Sequence, residues 1–162
     1  MTERSVVNAR HSVAGMFTQR EAADMAGMSY RQISYLYDEA MIAPTVTTAM
    51  KGAHHVGVAS SRWSPTDVWK LVLVRQVQAV LDRVGDVRAS AIRRVWEINL
   101  DTVPDSACYL AVTPDEVALF TASGQKTFQP GRRDGDWCVF LPVIPAWLAL
   151  HAAEAAANGS AA

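Results

Sequence analysis

Two capping boxes lie close together in residues 17–44, and they constrain where helices can begin. In a capping box, the side chain of the capping residue accepts from the backbone N–H three residues later, and the side chain there accepts from the backbone N–H of the cap. Thr18 and Glu21 have this spacing, and Ser29 and Gln32 have it again. The segment therefore predicts two short helices, one after each capping residue.

The residues around the second box predict how these helices pack. Gly27 can take the left-handed conformation at little steric cost, so we expect it to end the first helix and turn the chain. In the second helix the apolar residues recur at the helical period. The inward residues are Ile33, Leu36, Tyr37 and Ala40, and the outward residues are Arg31, Gln32, Ser34 and Tyr35. This pattern is typical of a helix-turn-helix with a hydrogen-bonding outer face, although an ordinary pair of core helices is the alternative.

These residues resemble the MerR-like winged helix-turn-helix regulators. The family's run of Ser-x-Arg-Thr-Leu-Arg-Tyr-Tyr-Glu is similar to residues 29–37, and its Gly-Leu-Leu-x-Pro close is similar to residues 41–44, with Ala40 where the family usually has Gly. Residues 62–68 are similar to the run that follows the family's wing and opens its third helix. The resemblance covers residues 16–100. It implies a transcription regulator that binds double-stranded DNA with its second helix in the major groove.

This implied function gives a set of candidate DNA contacts. Arg31 and Gln32 are the predicted base readers, because Arg can bond guanine O6 and N7 and Gln can bond adenine N6 and N7. A wing is predicted at residues 45–61, which are rich in Thr, Gly, Ala and Ser. The predicted phosphate contacts are Tyr30, Ser34 and Tyr35 on the second helix, Thr18 at the start of the first helix, and Lys51 and Arg62 from the wing region.

Two more helices are predicted after the wing. Ser64 and Asp67 form a third capping box, and the apolar residues that follow continue at helical spacing to Val84. Gly85 is expected to end this third helix. The apolar pattern then predicts a fourth helix to about Asn99.

A different pattern begins after residue 105. Residues 108–112 and 117–120 predict a β-hairpin around an acidic turn, and residues 137–141 predict a further strand. A terminal helix is predicted from Ala146 to about Ala157, with Trp147, Leu148 and Leu150 as its buried positions. The expected fold class is mainly α with small β. The predicted divisions are a flexible arm at 1–15, the winged helix-turn-helix at 16–100 and a small α+β module at 106–157.

The charge of the chain is unevenly distributed. The net charge of the 162 residues is −1, but residues 1–100 hold 12 Lys/Arg against 9 Asp/Glu, a balance of +3. Residues 101–162 hold 3 against 7, a balance of −4. The predicted DNA-binding part is therefore the basic part, and its small excess favours a few placed phosphate contacts over broad adhesion.

Other classes of function have little support in the sequence. No Gly-rich phosphate loop or Cys/His cluster occurs, so we expect neither an enzyme nor a bound metal or cofactor. Cys108 and Cys138 lie far apart and are expected to be thiols, although a disulfide between them is an alternative. No apolar run is long enough to span a bilayer and no leader pattern is present, which predicts a cytoplasmic protein without a membrane partner.

Assembly and two further interpretations of function stay open. The chain has no heptad run after the fourth helix, so a homodimer is expected to form through the C-terminal module. One alternative function is an architectural DNA-binding protein, such as an excisionase of phage type. The other is a scaffold whose acidic C-terminal half binds another protein.

Overall fold

The structure, a computed structural model, describes residues 15–46, 61–81, 85–122 and 138–159. These residues form five α-helices, a short 3-10 helix and a small antiparallel sheet, so the expectation of a mainly α fold with small β is confirmed. In chain order the elements are α1 (Gln19–Ala26), α2 (Tyr30–Asp38), α3 (Pro65–Val80), α4 (Gly85–Trp96), the 3-10 helix (Leu100–Thr102), β1 (Ala107–Val112), β2 (Val117–Thr121), β3 (Val139–Pro142) and α5 (Ile144–Gly159). None of the described helices has both the length and the apolar character that a membrane crossing requires.

The first two helices begin where the capping boxes predict. Thr18 N donates to Glu21 Oε2 at 2.8 Å, and Glu21 N donates to Thr18 Oγ1 at 3.3 Å. Ser29 N donates to Gln32 Oε1 at 2.8 Å, and Gln32 N donates to Ser29 Oγ at 3.1 Å. Gly27 ends α1 in the left-handed conformation, with φ at 66°. Both helix starts and the turn between them are therefore confirmed.

The boundaries of α3 and α4 differ from the prediction. The capping box of Ser64 and Asp67 opens α3 as expected. The helix ends at Val80, with Leu81 as its cap, and Val84 lies outside the described residues. Gly85 is the first residue of α4, so it does not end the third helix as predicted. The fourth helix stops at Trp96, because Asn99 then caps the 3-10 helix by accepting from Asp101 N at 3.0 Å.

The sheet has the strand order β2-β1-β3, with both pairings antiparallel. Leu110 of β1 lies opposite Leu119 of β2 and Leu141 of β3. The predicted hairpin is confirmed with its turn. The third strand begins at Val139 and includes Pro142, and the predicted first residue Trp137 lies outside the described residues.

Among the described residues, a hydrophobic core cluster joins the two predicted parts of the chain. The central element is α3, which packs against α1 and α4 and makes its most extensive helix contact with α5. The rings of Trp69 on α3 and Trp147 on α5 lie 5.4 Å apart between centroids. The core cluster runs from Phe17 to Ala157, so the predicted boundary near residue 100 is not a break in the core.

The buried face of α5 agrees only in part with the prediction, since Leu150 is buried as expected. The helix buries Ala146, Leu150, Ala153 and Ala157 against the core, whereas Leu148 is 66% exposed. Trp147 is half-buried, and its Nε1 donates to Ala107 O at 2.9 Å. The assignment of Leu148 as a buried position is therefore wrong. Since α5 is apolar on nearly every side, periodicity alone does not select its inner face.

Candidate nucleic-acid interface

Four of the predicted contact residues lie together on α2. Tyr30 is 44% and Tyr35 is 48% exposed, and Arg31 and Gln32 are also exposed. We call these four residues the outer face of α2. On the opposite side of the helix, Ile33 and Leu36 are fully buried. Tyr37 is half-buried, and Ala40, which was predicted to face inward, is exposed beyond the end of the helix.

A buried hydrogen-bond bridge holds α2 against α1. Gln19, the first residue of α1, is only 2% exposed. Its Nε2 donates to Ser34 Oγ at 2.9 Å and to Tyr30 O at 3.1 Å. Ser34 Oγ in turn donates to Tyr30 O at 3.1 Å. Ser34 therefore lies in the junction between the two helices, and its hydroxyl is engaged there instead of facing outward as predicted.

A second side chain fixes the turn between the helices. Arg75 on α3 reaches the carboxyl end of α1, where its Nη1 donates to Ala26 O at 3.3 Å and to Gly27 O at 3.4 Å. A Cβ atom at Gly27 would collide with this guanidinium. The positive charge also lies at the negative end of the helix dipole. Sequence reasoning missed Arg75, since nothing in its local pattern indicates a partner about fifty residues away.

The capping boxes limit what two of the candidate contacts can do. Gln32 Oε1 accepts from Ser29 N, so a bidentate bond to adenine would displace that capping bond. Thr18 Oγ1 donates to Glu21 Oε2 at 2.9 Å and also accepts from Glu21 N. A phosphate at this helix start would have to replace the Glu21 carboxylate. Arg31 is therefore the better placed of the two predicted base readers.

The ends of the predicted wing are tied to the start of α3. Val46 and Arg62 form an antiparallel bridge, and so do Phe17 and Trp63, which places three backbone segments side by side. The carboxylate of Asp67 holds this junction together. Its Oδ2 accepts from Ser64 N at 2.8 Å, from Thr45 N at 3.0 Å and from Thr45 Oγ1 at 2.6 Å. The body of the wing, including Lys51, lies outside the described residues.

Arg62 does not lie where a phosphate contact requires. Its side chain is 8% exposed, and its Nη1 donates to Ser61 O at 3.1 Å. The backbone bridge to Val46 fixes this residue at the base of the predicted wing. Arg62 was predicted to contact a phosphate, and its burial argues against that role because its charge is not presented at the surface.

An open groove of about 580 Å³ lies beside the carboxyl end of α2, between residues 40–43 and the end of α4. Trp96 forms part of its wall, and the indole Nε1 donates to Ala43 O at 3.0 Å. Lys70 Nζ donates to Trp96 O at 2.6 Å and lies 5.5 Å from the centroid of the same ring. Burial lowers the pKa of Lys70 from its usual value, and the charge of Asp67 acts in the opposite direction. These contacts fix the loop after α2 to α4.

The charges along α2 distinguish its two ends. Arg31 lies in the first turn, where the helix dipole is also positive, and Asp38 lies in the last turn. Phosphate groups would therefore be attracted to the amino end of α2 and repelled from its carboxyl end. The outer face of α2 has its cationic group at the end where a phosphate backbone is best accommodated.

Other kinds of site find no support in the part of the chain that the structure describes. No group of three or more His, Cys, Asp or Glu side chains there is arranged to hold a metal ion. Cys108 and Cys138 are free thiols, as expected, and burial raises the pKa of Cys138.

No protein-family model matches the chain, and no curated protein matches it either.

Proposed function

We propose that this protein is a sequence-specific double-stranded DNA-binding transcription regulator of the MerR-like winged helix-turn-helix type. The observation that carries the proposal is the outer face of α2. It presents an arginine, a glutamine and two tyrosines to solvent, while the other side of the helix is held by Ile33, Leu36 and the bridge from Gln19. Exposed hydrogen-bonding groups on a rigid helix are what base recognition in the major groove requires.

The size of α2 sets how much sequence one copy can read. A helix of 9 residues is about 14 Å long, and its diameter of about 10–12 Å fits a major groove about 12 Å wide. Such a helix brings its amino-terminal residues to the base edges, and here these include the two predicted base readers, Arg31 and Gln32. Two side chains discriminate only a few base pairs. We therefore propose that the protein acts as a homodimer on two half-sites.

The arrangement at the wing base also supports this proposal. The bridges of Phe17 with Trp63 and of Val46 with Arg62 bring the start of α1, the start of α3 and the entry to the wing together. A wing that begins there would extend from the same junction that positions the two helices. We propose that Lys51 in the wing contacts a phosphate. We no longer propose Arg62 or Ser34 as phosphate contacts.

The test is to capture genomic duplex fragments with the full chain and to sequence them. A recurring motif with two half-sites is the expected result. Fragments that cluster at recombination attachment sites would favour an architectural, excisionase-like protein. A matched capture with heat-unfolded protein is the control. If no fragment is enriched relative to this control, the result would contradict DNA recognition and favour a scaffold.

A further inference from the structure

The helix α5 is apolar both where it is buried and where it is exposed. Its inner side, with Ala146, Leu150, Ala153 and Ala157, packs against the core. On the opposite side Ile144 is 59% and Leu148 is 66% exposed. These are the two most exposed large apolar side chains in the part of the chain that the structure describes. Large apolar groups that lie together at a surface mark a site of association.

The exposed side chains form a stripe along the full length of α5. Ile144, Leu148, His151, Ala152 and Ala155 are linked by separations of three or four residues (144/148, 148/151, 148/152, 151/155 and 152/155), so they share one face of the helix. All five are exposed. We call these five residues the α5 stripe. It has two large residues at its amino end and two alanines at its carboxyl end.

We propose that a second copy of this chain covers the α5 stripe, with the two α5 helices antiparallel across a two-fold axis near residues 149 and 150. In this arrangement Ile144 of one copy lies opposite Ala155 of the other, and Leu148 lies opposite Ala152. Each large side chain then meets a small one, and the alanines allow the two helices to approach closely. A parallel arrangement would instead place large residues against each other and leave the alanine end unfilled.

The chemistry of the stripe favours a second copy over a charged partner. His151 and Glu154 are the ionisable residues within α5, and they lie 3.4 Å apart on the same copy. A helix of 16 residues is about 24 Å long, so two such helices bury an interface at the low end of the range for specific complexes. We therefore expect a reversible, concentration-dependent dimer.

This inference deepens the proposed function, because it names the surface through which a regulator of this type would pair. The dimer nevertheless stands on its own observations, so its test does not depend on DNA. Sedimentation of the full chain is expected to show species at the 17.6 kDa of one chain and at twice that mass, with the larger one increasing with concentration. A monomer at every concentration up to the millimolar range would overturn the proposal.

A matched pair of variants assigns the interface. Leu148→Glu is expected to give a monomer, because it places two carboxylates close to the axis and removes apolar contact. Val80→Glu is the control, since Val80 is also an exposed apolar residue, 46% exposed, but lies at the end of α3. It should dimerise as the unmodified chain does. A dimeric Leu148→Glu variant with the same circular dichroism spectrum as the unmodified chain would refute this assignment.

Mixing two charge variants tests the symmetry. Leu148→Glu and Leu148→Lys should each be monomeric alone, whereas an equimolar mixture should form a heterodimer, since position 148 of one copy lies near position 148 of the other. No heterodimer in the mixture would contradict an interface that brings the two copies of position 148 together. The same variants are then assayed on one isolated half-site. Variants that bind the half-site but no longer dimerise would support both the DNA-binding proposal and the dimer proposal. An unmodified chain that dimerises but prefers no DNA sequence would contradict the proposed function and not the proposed interface.

Discussion

Gln19 Nε2 donates to Ser34 Oγ at 2.9 Å, and this bond joins the first residue of α1 to the middle of α2. It lies beneath the outer face of α2, in a junction where Gln19 is almost completely buried. A polar bridge at this place fixes the rotation of α2 about its own axis, because it engages Ser34 and the carbonyl of Tyr30 together. The direction in which Arg31 points therefore depends on two residues that do not themselves face outward.

Gln19→Ala and Ser34→Ala should show coupled losses of stability. Each change removes the same hydrogen bond, so we expect the double variant to lose less than the sum of the two single variants, by about 1 kcal/mol. Unfolding in urea at 25 °C measures all four proteins of the cycle. Strict additivity would show that the bond does not stabilise the junction.

Gly27→Ala should destabilise the protein more than Gly15→Ala. Both glycines have positive φ, at 66° and 76°, so both substitutions introduce left-handed strain of about 1–2 kcal/mol. Only at Gly27 does the added Cβ also meet the Arg75 guanidinium, whereas nothing lies within 4 Å at Gly15. The difference between the two variants in urea unfolding isolates this clash. This difference should shrink when Arg75→Ala is added to both variants. Equal losses of stability for Gly27→Ala and Gly15→Ala would exclude a role for Arg75 at the turn.

Ala40→Gly should stabilise the protein. Ala40 has a φ of 52°, and a left-handed alanine carries about 1–2 kcal/mol of strain that glycine does not have. Glycine gives the unfolded chain more freedom, which offsets about 0.4–1 kcal/mol of this gain. We expect a net increase of up to about 1 kcal/mol in the free energy of unfolding. Ala43→Gly, at a neighbouring position without positive φ, is the control and should lower stability.

Arg62→Ala should leave the salt dependence of DNA binding unchanged. The side chain is buried at the wing base, so it releases no condensed counterions when DNA binds. We expect instead a loss of stability of about 1 kcal/mol from lost packing and hydrogen bonding. Binding to one duplex between 50 and 200 mM salt gives the slope. A slope smaller by about one unit would show that Arg62 does reach a phosphate.

The local parts of the fold could be predicted from the sequence because their determinants lie a few residues apart. The capping boxes at Thr18, Ser29 and Ser64 each opened a helix where they were expected to. The hairpin of β1 and β2 followed from its turn residues in the same way. At such places local propensity and tertiary structure agree, so a short window of sequence is sufficient to predict the element.

The remaining features depend on contacts distant in sequence. Arg75 bonds the end of α1 from α3, and Arg62, whose backbone pairs with Val46, is buried. Neither contact leaves a local signal. The inner face of α5 was assigned wrongly for Leu148 because an alanine-rich helix has apolar residues on every side. Packing against α3 selects the face, and that selection leaves Leu148 on the surface.

Arg31 on α2 is proposed to read a base, and selection from a random duplex pool tests this assignment. The unmodified chain and Arg31→Ala are each selected and sequenced, and Arg20→Ala, an exposed arginine on α1, serves as the control. We expect Arg31→Ala alone to lose preference at one position of each half-site, equivalent to about 1–3 kcal/mol, with nearly unchanged salt dependence. Identical sequence preferences for the unmodified chain and Arg31→Ala would contradict the assignment of α2 as the helix that reads DNA.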